Sequence, residues 1–214
     1  MIATYMNILT RLFILSGLII FNCPILKAQN QFKAGLHFAL AGSQIDGDRM
    51  SGYNRPALGL GIFVNYNLSE SQYLRADFKF QNKGANPSQY QRDNFGYESV
   101  SYNYIEVPFS YRHKIQKFEA FGGLGFAYLF SRYRFSNNER IKVDNADLKK
   151  FDFPLHLGVS YNFNEKSSLS FQFQYSIISI RSGENLTPIT DNFLKPSIAG
   201  IYNNNVILSY NYLF

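Results

Sequence analysis

The stretch Tyr73-Leu-Arg-Ala-Asp-Phe-Lys-Phe-Gln-Asn-Lys83 decides the fold. Leu74, Ala76, Phe78 and Phe80 alternate with Arg75, Asp77, Lys79, Gln81 and Lys83. A period of two puts these sets on opposite faces of an extended strand, one greasy and one charged. Such a strand needs an apolar medium on one side and a polar, charge-pairing environment on the other.

The same alternation recurs in both directions. Upstream it runs from Phe32 to Leu40, with Lys33, Gly35, His37 and Ala39 opposite the large apolar residues, and from Pro56 to Leu68. Downstream it covers about Ser101 to Arg112, Lys117 to Phe130, Phe151 to Phe163, Ser168 to Ile180 and Asn203 to Phe214. These are eight segments rich in Phe (21) and Tyr (16), residue types that favour strands. Charged residues make up 17 % of the chain, against roughly 25 % in ordinary soluble domains. The mean hydropathy of −0.19 does not fit a helical membrane protein.

A soluble sandwich also alternates, but its large apolar residues meet in a shared core. Here the polar faces mix Gly and Ala with Arg, Asp, Lys and Gln, which suits a narrow lumen. The broad aromatic faces suit lipid. Connection lengths make the second argument. The gaps 69–72, 113–116 and 164–167 are short, and 41–55, 84–100, 131–150 and 181–202 are long and polar. Outer-membrane barrels have short periplasmic turns and long external loops. The expected fold is therefore all-β, an eight-stranded antiparallel up-and-down transmembrane β-barrel, with outer-membrane lipid as its surroundings.

The N-terminus reads as an export signal over residues 1–28, with the barrel domain over 29–214. Arg11 precedes an apolar run from Leu12 to Phe21, and Ala28 offers a small residue for cleavage. Ten apolar residues are too few for a membrane-spanning helix, which takes about 20. Cys23, the sole cysteine, falls inside that signal. The mature chain is then expected to carry no disulfide and no thiol chemistry. Loss of Arg11 and Lys27 takes the net charge from +6 to +4. The basic residues are scattered, so no nucleic-acid partner is expected. At the other end Tyr210, Tyr212 and Phe214 share one face, an expected recognition signal for the barrel assembly machinery.

The chain resembles the PorT-like outer-membrane β-barrel family of the Bacteroidetes lineage. The likeness lies in Phe32-Lys-Ala-Gly-Leu36, Leu74 to Gly84, Tyr104-Ile-Glu-Val-Pro-Phe109 and Phe118 to Phe126 with Gly122, Gly123 and Gly125. It implies a small barrel in the outer membrane of a Gram-negative bacterium and no particular reaction. Some members are linked to protein secretion or surface display.

The inward set is Lys33, His37, Arg75, Asp77, Lys79, Glu106, Arg112, Glu119, Asp152 and His156. Buried charges must pair, so Arg75, Lys79 and Arg112 are expected to neutralise Glu106, Asp77 and Glu119, with Glu106 central. A structural network outweighs an ion path. No HxH or HExxH motif is present, and no metal or other cofactor is expected. His156, Ser160 and Asp152 share one strand face, but at about 3.3 Å per residue they stand too far apart for direct catalysis. No nucleophile elbow is present. His113 is expected in a solvated turn. The loops carry Tyr90, Phe95 and Tyr97, then Arg132, Tyr133, Arg134, Asn137, Asn138, Glu139, Arg140 and Lys142, then Arg181, Glu184, Asn185 and Asp191. Interleaved aromatic and polar residues suit protein partners or ligands. The expectation is a non-catalytic scaffold or docking barrel; a small-solute pore, a lipid-active enzyme and a soluble lipocalin-like carrier are the alternatives.

Overall fold

The computed structural model describes residues 31–50, 52–136, 139–144, 147–181 and 200–214. The export-signal reading, with Arg11, Cys23 and Ala28, and the loop residues Asn137, Asn138, Glu184, Asn185 and Asp191 lie outside them. The strands are β1 (Phe32–Asp46), β2 (Arg55–Asn67), β3 (Gln72–Ala85), β4 (Ser99–Ile115), β5 (Phe118–Ser136), β6 (Glu139–Val143), β7 (Phe151–Asp152), β8 (Pro154–Asn162), β9 (Ser167–Ser176) and β10 (Tyr202–Leu213). A short helix, α1 (Gln89–Phe95), lies between β3 and β4.

Sheet order runs β4-β3-β2-β1-β10-β9-β8-β5, and β4 also pairs with β5, closing the ring. The result is an eight-stranded antiparallel barrel. β7 is the upper end of the β8 wall, paired with β5 at Ala127↔Asp152; the break falls at Phe153, just before Pro154, whose ring removes a ladder donor. Phe38 pairs with Tyr210 across the β1–β10 closure, so the last strand is hydrogen-bonded on both sides.

The alternation translates directly into two environments. Phe38, Leu40, Leu58, Leu60, Ile62, Phe78, Phe109, Leu157 and Phe171 project outward and are exposed, while Arg75, Lys79, Glu106 and His156 are buried inside. No described helix is long and apolar enough to cross a membrane; the strands supply the crossing, as a closed barrel permits. Two aromatic clusters mark the edges of the greasy belt. At the turn end Phe118 meets Tyr161 at 5.3 Å and Tyr161 meets Phe163 at 5.4 Å. At the loop end Phe126 meets Phe151 at 5.0 Å, and Tyr128 meets Phe151 at 5.5 Å.

The strands outrun the bilayer at the loop end. β4 has 17 residues and β5 has 19, against about 9–11 needed to span. The register slips at Asn103/Tyr104, and above it β5 folds back on β6, pairing Phe135↔Arg140. β1 and β3 likewise run past Leu40 and Lys83, so segments expected as loops are raised barrel wall. β9 stops at Ser176, short of the expected Ile180. His113 lies in β4, opposite Ala120, because the turn is only Gln116–Lys117. Gln116 has φ 58°, the left-handed value that a two-residue hairpin demands.

Candidate functional site

Because the closed ring wraps its strands around one narrow lumen, inward side chains from β1, β3, β4, β5, β7, β8, β9 and β10 meet there. Nearest the turn end, Arg75 donates from Nε to Asp77 Oδ1 at 2.9 Å and from an amino group to Asn211 Oδ1 at 2.9 Å. Arg112 pairs with Glu119 at 2.8 Å, and Tyr73 donates to the same carboxylate at 2.5 Å. Higher up, Glu106 receives Lys79 at 3.3 Å, Lys83 at 2.6 Å and the Gln174 amide at 3.0 Å. Lys83 also reaches Asp152 at 3.3 Å, and Asn203 donates to Asp152 at 2.9 Å. Four cations thus interleave with four carboxylates, which is what makes burial of each charge tolerable.

Two aromatic rings inside the lumen anchor the arginines. Arg75 lies 3.6 Å from the centre of the Phe63 ring and Arg112 lies 4.0 Å from that of Phe121. Each ring occupies space that a glycine on the adjacent strand leaves open. A Cβ on Gly158 would stand 2.9 Å from a Phe121 ring carbon, and one on Gly35 would stand 2.8 Å from a Phe63 ring carbon. The inward glycines are therefore the spaces the stacked Phe–Arg pairs require.

His37 Nδ1 lies 3.1 Å from Asn211 Oδ1, and His156 Nδ1 lies 2.7 Å from Gln172 Nε2. Both rings line one small cavity of ≈10 Å³, room for about one water. Among the described residues no group of three His, Cys, Asp or Glu is placed to hold a metal. Ser160 bonds Ser170 at 2.9 Å, while His156 and Asp152 bond other partners, so these three do not form a triad.

Lys33 corrects the sequence reading: it shares the phase of the inward set but is exposed at the end of β1, beyond the reach of the lumen carboxylates. The expected inward pairing set also left out Lys83, Gln174, Asn203 and Asn211, although the alternation already put Lys83 on the charged face. Their signal was present, since each continues an inward row at a spacing of two. Sequence reasoning did not find the apolar closure at the loop end either. There Ile45, Tyr102, Tyr104, Leu129, Leu148, Ile180 and Ile201 form one buried cluster. Leu148 and Ile180 come from connecting segments, tied by Lys149 N–H to the Ile180 carbonyl at 2.8 Å, and Arg132 pairs with Asp147 beside them.

Above the closure, α1 is held by reciprocal bonds between Ser88 and Gln91 and ends at Gly96, φ 62°. Ser88-x-x-Gln91 followed by Gly96 was a readable helix signal. Phe95 and Tyr97 stack at 5.6 Å, Glu98 pairs with Arg134 at 3.3 Å, and Arg140 lies 3.6 Å above Tyr133. Between α1 and the tip of β5 lies a pocket of ≈590 Å³.

Residues 13–214 match the outer membrane protein beta-barrel domain family. The chain belongs to that family. As an outer-membrane barrel it is placed in the cell outer membrane, greasy face to lipid, turns toward the periplasm and loops outside. Its fold is similar to that of Ail, the attachment invasion locus protein of Yersinia pestis. The TM-score is 0.51 at 13 % identity, covering 86 % of this chain and 99 % of Ail. It is equally similar to Neisserial surface protein A, with a TM-score of 0.51 at 11 % identity, covering 86 % of this chain and 97 % of that one. At such identities the likeness of these barrels is one of fold. Among curated proteins, none matches the sequence.

Proposed function

We propose that this outer-membrane barrel is a non-catalytic scaffold that docks partners through its loop end, in the manner of a PorT-like barrel linked to secretion or surface display. The observation that carries the reading is the lumen. Paired charges fill its middle, and an apolar cluster, completed by Leu148, Ile180 and Ile201 from connecting segments, sits across its outer mouth. A transport role calls for a continuous wet path, and a hydrolytic role calls for a nucleophile beside a base; the lumen side chains are instead engaged with one another. The raised β4–β5–β6 wall and the capped helix α1 offer a shaped external surface. The export signal and the aromatic face of Tyr210, Tyr212 and Phe214 fit delivery by the assembly machinery.

The test uses the folded protein in planar bilayers and, separately, in vesicles of phospholipid and lipopolysaccharide. The expected result is an electrically silent bilayer and lipids of unchanged mass. Stable conductance steps would replace the scaffold with a pore, and released acyl chains would replace it with an enzyme.

A further inference from the structure

We infer that the pocket between α1 and the tip of β5 binds a sugar acid, a pyranose bearing a carboxylate, at the cell surface. The inference rests on the loop end being a docking surface and names what that surface takes. The pocket volume of ≈590 Å³ lies within the range of roughly 300–1,000 Å³ that small-ligand sites occupy. Its lining mixes flat apolar faces with hydrogen-bonding groups: Tyr97 and Phe135, with Arg92, Glu98, Ser99 and Ser136.

Charge selects the ligand's anion. Glu98 is already met by Arg134 at 3.3 Å. Among the described residues no carboxylate forms an ion pair with Arg92, and it is exposed. The pocket therefore holds one guanidinium without a counter-charge, a planar fork matched to a carboxylate.

The remaining lining selects the rest of the ligand. Aromatic side chains pack against the C–H face of a sugar ring, an apolar surface within a polar molecule. Ring hydroxyls are donors as well as acceptors, and Glu98, Ser99 and Ser136 can receive them. An acidic peptide would supply a carboxylate but no pyranose C–H face for Tyr97 and Phe135 to pack against. The walls are held before any ligand arrives, which lowers the ordering cost of binding. Tyr97 is stacked on Phe95, Phe135 lies 5.7 Å from the Arg55 guanidinium, and α1 is capped at both ends.

The experiment is calorimetric titration of the folded full chain in detergent with trigalacturonate, maltotriose and triglutamate. Trigalacturonate is expected to bind saturably, and the other two at least about tenfold more weakly. Arg92→Gln and Tyr97→Ala should each weaken trigalacturonate by about tenfold or more, whereas Lys149→Gln, outside the pocket, leaves it unchanged. Heat-shifted gel mobility verifies that each variant is folded. The inference is overturned by an absence of saturable trigalacturonate binding. Equal binding of triglutamate or maltotriose, or wild-type affinity in Arg92→Gln, would overturn it too. If trigalacturonate fails while bilayers stay silent and lipids intact, the sugar acid is lost and the scaffold reading stands. Conductance or lipid cleavage removes the scaffold reading itself.

Discussion

Single residues set the energetics of the lumen. Glu106 faces Lys79 and Lys83 with all three fully or nearly buried. Removing the carboxylate leaves two ammonium groups in a low-dielectric space. Glu106→Ala should cost about 3–5 kcal/mol, read as a lower midpoint of urea unfolding from vesicles. Space is as strict as charge. At Gly158 any side chain meets the Phe121 ring that Arg112 stacks on, so Gly158→Val should destabilise by about 1–3 kcal/mol in the same assay. Outside the membrane, Asp48 sits in the β1–β2 loop, where burial pushes its carboxyl up to about 7. Between its ordinary value of 3.8 and about 7 the folded form binds a proton that the unfolded form lacks. Stability therefore rises as pH falls through that window and declines as pH rises toward 7. Urea titrations across the window should show this slope, and Asp48→Asn should flatten it.

Elements show where local chemistry and tertiary context diverge. The hairpin Gln116–Lys117 forces a side-chain-bearing residue to φ 58°, a conformation glycine adopts without steric cost. Gln116→Gly should raise stability by about 1 kcal/mol, measured as an increased unfolding midpoint. Strand identity was legible because the alternation is strict from Tyr73 to Lys83 and from Phe151 to Phe163. Strand ends were not. β5 continues through Arg132 and Arg134, polar residues that resemble loop, because above the bilayer a hairpin with β6 has water on its outer face and no longer needs greasy side chains. α1 was hidden for another reason: seven polar and aromatic residues with none buried carry no 3.6-residue apolar stripe, and only the capping residues announce the helix.

At the scale of the whole molecule, the membrane divides the outer surface by depth. Leu60 lies mid-strand on the lipid face, so Leu60→Arg should cost about 2–4 kcal/mol, while Leu68→Arg, beside the turn, should cost about 0–1. Unfolding in vesicles would measure the difference, and equal costs would contradict the assigned belt. The sequence by itself determined the class of solution: eight two-faced strands joined by alternating short and long connections admit a closed sheet in lipid, because period-two alternation assigns each residue to a face without knowing its neighbours. Much of the lumen set was legible for the same reason. Only the tertiary structure decided which charges meet, since Lys83 and Asp152 are 69 positions apart and their encounter depends on shear and closure. It also decided that Lys33 falls beyond the lumen and that Leu148 and Ile180 fold across the outer mouth. Face is a local property of a strand; depth along the barrel axis and contact across it exist only once the ring has closed.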